Sequence, residues 1–158
     1  MKLLLTIAST ALFTALATPS AAEPPSPLEL TGFVELERAV TDETGERRVE
    51  RIEPKVVVPG DRLIFGTRFA NIGTQPIERF VVSNPVPASV SVTPDIDPDV
   101  LVSVDGGKSW GRLGELEVVD ADGNRRAAQA SEITNVRWVL SAIASGETGQ
   151  LEFPVTVR

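Results

Sequence analysis

The stretch Val58-Pro59-Gly60-Asp61-Arg62-Leu63-Ile64-Phe65-Gly66-Thr67-Arg68-Phe69-Ala70-Asn71-Ile72-Gly73 decides the fold. A Pro-Gly turn launches it, and Asn71-Ile-Gly73 closes it. Between them Leu63, Phe65, Thr67 and Phe69 recur at every second residue. Successive side chains leave an extended backbone on opposite sides, so this alternation predicts a strand with one buried face. The other face, Arg62, Ile64, Gly66, Arg68 and Ala70, is smaller and more polar and is expected to point away from the core.

Upstream, Leu28, Leu30, Val34, Leu36 and Val40 sit on even numbers with charges between them, which predicts a first strand. Gly32 should weaken it and mark a bulge. Thr41 to Glu46 reads as a turn and Arg47 to Val58 as a second strand. The alternating Arg and Glu of Arg48 to Glu53 suit a solvated sheet edge. Downstream, Ile77 to Ser83 is a strand closed by Asn84-Pro-Val-Pro87, whose prolines place a sheet edge or a crossover there. Val90 to Thr93 and Val100 to Val104 are short strands. Leu113 to Val119 forms a hairpin arm with the turn Asp120 to Asn124, and Arg125 to Glu132 suits one helical turn. Ile133 to Ile143 and the alternating Leu151, Phe153, Val155 and Val157 are core strands. Phe65, Phe80, Trp138 and Phe153 each lie on an apolar face and are expected to meet in one core.

Many short strands separated by Gly, Pro, Asn and Asp predict an all-β chain. The expected architecture is a two-sheet antiparallel β-sandwich, with a closed barrel as the alternative. The 158 residues leave room for one domain. Lys2, the apolar run Leu3 to Ala17 and the small residues Pro19 to Ala22 have the form of a signal peptide. The expected division is a signal peptide over residues 1–22, a Pro-rich lead over 23–27 and one sandwich domain over 28–158. Cleavage is placed between Ala22 and Glu23, with no transmembrane segment afterwards, because spanning a bilayer takes about 20 apolar residues.

The net charge of −7 becomes one unit more negative without Lys2. That balance disfavours nucleic acid and anionic lipid as partners. The chain has no Cys, His or Tyr. Disulfides, thiolate chemistry, imidazole bases and phenolic nucleophiles are therefore all excluded.

Four stretches together resemble a known family. They are Pro59-Gly-Asp-x-Leu-x-Phe65, Asn71-x-Gly73, Asn84-x-Val-Pro87 and Gly146-Glu-x-Gly149. They look like the conserved repeat domain of unknown function found in bacterial surface and envelope proteins, and the likeness runs from Pro54 to Arg158. The resemblance implies an immunoglobulin-like sandwich and no reaction. Asn84 stands where that pattern has Asp, Thr67 where it has an apolar residue, and Ser145 where Pro often precedes the Gly. Ser103-Val-Asp-Gly-Gly-Lys-Ser-Trp110 is similar to the Asp-box hairpin of sialidase propellers, where the motif is structural. That likeness assigns Ser103, Asp105, Gly107 and Trp110 to a turn.

Candidate chemistry is sparse. Asp95, Asp97 and Asp99 are the best calcium ligands on offer, being hard oxygen donors at close spacing. Asp120, Asp122 and Asn124 imitate an EF-hand loop, but Gly123 precedes Asn124 and Ser131 falls where a closing Glu is needed. Trp110, if exposed beside a groove, could stack on a sugar. A hydrolase would have to rest on a carboxylate pair. The reading favoured by the sequence is an exported, non-catalytic envelope or surface module without a cofactor, acting on an envelope or surface protein. A glycan- or calcium-binding module is the alternative, and a carboxylate hydrolase a remote one.

Overall fold

A computed structural model describes residues 27–158. The expected leader and the Ala22–Glu23 cleavage point lie outside the described residues. The chain forms β1 (Leu28–Thr41), β2 (Arg47–Ile52), β3 (Arg62–Asn71), β4 (Ile77–Pro85), β5 (Val90–Val92), β6 (Leu101–Ser103), β7 (Glu117–Val119), β8 (Arg125–Ala127), β9 (Asn135–Ile143) and β10 (Thr148–Val157). Two single 3-10 turns, Leu113–Glu115 and Ala130–Glu132, flank the β7–β8 ribbon. The expected helical turn over Arg125 to Glu132 is thus only its last three residues, since Arg125–Ala127 pairs with β7.

One sheet has the order β2-β1-β3-β10-β5 and the other β4-β9-β6, all pairs being antiparallel. Their facing sides make an all-β sandwich rather than a closed barrel. β3 is the centre of the larger sheet, as its alternation requires. Its inward Leu63 and Phe65 meet Val155 and Phe153 of β10 in register. Val102, Val136 and Trp138 of the smaller sheet close the core from the opposite side. Phe153, 1 % exposed, is the hub, with Phe65 and Trp138 both 6.0 Å from its ring centre.

Phe80 does not join them. It is half-buried and outside the core cluster. Its neighbour Arg79 takes φ 55°, the only positive φ among the described non-glycine residues. The register continues from Val82↔Trp138 to Phe80↔Leu140, so Phe80 keeps the face of Val82 but lies toward the end of the sheet, next to Arg79.

Three other expectations are corrected. Gly32 makes no bulge: β1 and β3 pair without interruption, with Gly32 opposite Thr67. The second strand ends at Ile52, because β3 must start beside Glu37 on the far side of β1 and the chain spends residues 53–61 crossing over. Val56, Val57 and Val58 on that crossover are exposed. The outer face of β3 is not simply solvated, for Ile64 is only 3 % exposed. Arg51 on β2 reaches across β1 and β3 to Glu152 on β10 (2.9 Å) and also meets Glu37 (3.3 Å). Long side chains that pair over a sheet also bury the apolar residue beneath their stems. The outer-face glycine Gly66 lies under the Phe33 ring, and a Cβ there would come within 2.5 Å of it.

Candidate functional site

The motifs far apart in sequence meet at the ends of the sandwich. At one end, Asp61 accepts a bond from the Val58 amide (2.9 Å), and the Gly60 amide donates to the Val157 carbonyl (2.9 Å). The Pro-Gly-Asp turn therefore locks the start of β3 to the end of β10. At the other end the buried Asn71 amide donates to the carbonyls of Gln75 (2.9 Å), Ile143 (3.1 Å) and Ala144 (3.0 Å). Its Oδ1 accepts from the Gly73 amide at 3.0 Å. Ser145 Oγ donates to the Gly73 carbonyl (2.7 Å), and Glu147 accepts from the Ala144 amide (2.6 Å). Asn71-x-Gly73 and Ser145-Gly-Glu147 are thus two halves of one corner.

The Ser103 to Trp110 segment forms a closed turn. Asp105 accepts from the amides of Lys108 and Ser109, both at 3.0 Å, and from the hydroxyls of Ser103 (2.7 Å) and Ser109 (2.6 Å). Those donors, the Ser109 hydroxyl first, hold its carboxyl well below the usual range. Gly106 and Gly107 adopt φ of 77° and 87°, which favours glycine. Trp110 donates from Nε1 to the Gly107 carbonyl at 3.0 Å, and the Arg137 guanidinium stacks on its ring at 3.5 Å. One ring face is therefore already taken. Thr134, which the sequence did not single out, ties this turn to β9 by accepting from the Gly106 amide (2.9 Å).

The three calcium candidates are drawn apart. Asp95 is held by Arg62 (2.6 Å) and by Thr93 Oγ1 (2.6 Å), which lower its pKa to about 2. Asp97 accepts from the Asp99 amide (2.9 Å), forming a turn, and Asp99 faces Arg112 (3.3 Å). Asp120 closes its own hairpin by accepting from the amides of Asp122 (3.0 Å) and Asn124 (2.8 Å). Among the described residues no three His, Cys, Asp or Glu side chains gather as a metal-binding group.

The comparisons stand apart from this geometry. No family model, curated protein or solved structure matches the chain.

What the fold does leave open is a strand edge. β1 pairs with β3 along Leu28–Glu37 but with β2 only from Leu36 onward. Among the described residues, no strand pairs with the other side of β1 from Glu29 to Glu35. Leu30 and Val34 there are 49 % and 37 % exposed although they point to the inner face. A hollow lies on each side of this edge. The outer one is lined by Phe33, Glu35, Arg51, Glu53 and Arg68, and the inner one by Val34, Phe65, Asn84, Pro85 and Phe153. Gly32 lines both. The one sequence signal at this edge is Gly32 within an apolar alternation, which leaves the strand without a side chain there.

Proposed function

We propose that the protein is an exported, non-catalytic module of the cell envelope or surface that works through contacts with another protein. The observation that carries this reading is the open Glu29–Glu35 edge with its half-exposed Leu30 and Val34. An unpaired strand edge is a ready surface for another chain. The resemblance to the envelope repeat domain and the signal-like leader support the location. Among the described residues no helix is long and apolar enough to cross a membrane.

The carboxylates with resolved shifts, Asp42, Asp95, Asp105 and Glu132, are all held down by hydrogen bonds and ion pairs. A general acid requires a shift in the opposite direction. Against the glycan alternative, Trp110 has one face under Arg137 and its indole N–H engaged.

The test has two arms. Panels of glycosidase, esterase and peptidase substrates should return no turnover above buffer. Cross-linked capture from an envelope fraction of the native host should return a protein that depends on the folded domain. Turnover lost on one Asp or Glu substitution, with the fold intact, would refute the reading. Mass spectrometry of the native protein should find Glu23 as the first residue.

A further inference from the structure

Building on the protein-contact reading, we propose that the Glu29–Glu35 edge of β1 receives a basic, extended segment of the partner as an added strand. Three features specify that segment. First, the edge is seven residues long and bounded by β2, which begins to pair at Leu36. A strand seated there would lie end to end with β2 and continue the larger sheet. Main-chain bonds supply the attachment in such additions, and alternate side chains supply the selectivity.

Second, the two hollows lie on opposite faces of the same edge, so alternate side chains of an added strand enter them in turn. The inner hollow is floored by Phe65 and Phe153 and flanked by Val34, with Asn84 and Pro85 of β4 as its far wall. It therefore takes an apolar side chain. Gly32 makes the room: a Cβ built on it meets nothing closer than the Gly66 carbonyl oxygen at 4.0 Å. The partner residue opposite Gly32 is thus the largest apolar one. The outer hollow, where Arg68 stacks on Phe33 at 4.0 Å and pairs with Glu35 at 2.7 Å, suits small polar residues.

Third, the charges around the edge are unequal. Arg51 and Arg68 are neutralised by Glu152, Glu37 and Glu35. Glu29 and Glu53 are exposed and have no ion pair among the described residues. Glu53 follows Ile52, the partner of Leu36, and lines the outer hollow with Glu35, at the opposite end of the edge from Glu29. A carboxylate thus stands at each end, matching a segment with Lys or Arg at both of its ends.

The probe is the labelled heptapeptide Lys-Val-Thr-Leu-Thr-Val-Lys, whose symmetry makes strand direction immaterial. Fluorescence anisotropy with the exported full chain should show saturable binding, and hydrogen exchange should slow at residues 29–35. Gly32→Leu fills the inner hollow from within. It should keep the melting temperature and weaken binding at least tenfold. The Glu-ended peptide should bind at least tenfold more weakly, and the double variant Glu29→Lys with Glu53→Lys should reverse that preference.

Unchanged binding by a folded Gly32→Leu variant, or equal binding of the two peptides, would overturn the proposal. So would a dimer dissolved by Gly32→Leu, which would make a second copy the occupant. Protection of residues 29–35 without peptide, lost on removing residues 1–26, would make the chain's own beginning the occupant. In any of these cases, envelope capture that persists with Gly32→Leu would leave the protein-contact reading standing at another surface.

Discussion

Thr67 and Asn84 meet across the interior of the sandwich, one on each sheet. The Asn84 amide donates to Thr67 Oγ1 at 3.0 Å, and the Thr67 hydroxyl donates back to Asn84 Oδ1 at 3.2 Å. Each of these two polar side chains thus supplies the other's partner. Thr67 is buried, so its hydroxyl needs a partner, and the amide opposite is it.

Removing one partner should therefore cost more than removing both. Thr67→Val leaves the Asn84 amide short of a bond, and a loss of about 1–2 kcal/mol is expected. Adding Asn84→Leu should recover most of it. Urea midpoints of the two single variants and the double variant form the cycle that checks this. Additive losses would mean the pair is not coupled.

Phe153 and Phe80 should separate sharply. Phe153→Ala removes the ring on which Phe65 and Trp138 both pack, for an expected loss of about 3–5 kcal/mol. Phe80, beside the kink at Arg79, should lose only about 1–2 kcal/mol when truncated. Equal shifts in denaturant midpoint would contradict this placement of β4.

Asn71→Ala should destabilise by about 1–3 kcal/mol, since it removes the buried donor shared by the carbonyls of Gln75, Ile143 and Ala144, of which Ala144 keeps the Glu147 amide. Asn71→Asp should not rescue it, because the donor is the group lost. Thermal melts give the magnitude, and faster hydrogen exchange in residues 143–147 would locate it.

Acid should weaken the fold in a defined window. Asp95 has its pKa lowered from 3.8 to about 2 by Arg62 and then Thr93, and Glu132 from 4.5 to about 2 by Arg126 and then the Gln129 amide. A lowered carboxylate stabilises the fold above its unfolded value and loses that contribution as pH falls through the folded one. Stability should hold from pH 7 to 5 and decline between 4.5 and 2, with Asp105, also held low, adding to the loss at the acid end. Asp95 and Asp105 are exposed and Glu132 partly so, so solvent screens the effect and the slope should be shallow. Asp95→Asn should flatten the middle part of the curve, which urea midpoints at stepped pH would show.

Millimolar calcium should leave the melting temperature of chelator-treated protein unchanged. Asp95, Asp97 and Asp99 are each committed to a different neighbour, and recruiting them would break the Arg62 and Arg112 pairs. A rise in melting temperature that is lost in Asp97→Ala would reverse this.

Features that depend on local backbone chemistry are legible along the chain. The period-two faces of β3 and β10, the Pro-Gly and Asp-Gly turns, the charged edge strand β2 and the all-β class follow from side-chain alternation and allowed dihedrals, and these do not need distant residues. The tertiary structure decided what depends on which strands become neighbours. Ile64 is buried on the outer face of the sheet that Arg51 crosses to reach Glu152. Phe80, although on the same face as Val82, lies outside the core cluster beside the positive φ of Arg79. Asp95 is withdrawn from its acidic neighbours by Arg62, 33 positions away. The open edge of β1 exists because β2 stops at Ile52 so that the chain can cross to β3. No stretch of sequence announces these facts, because each is a distance between residues that the chain brings together only on folding.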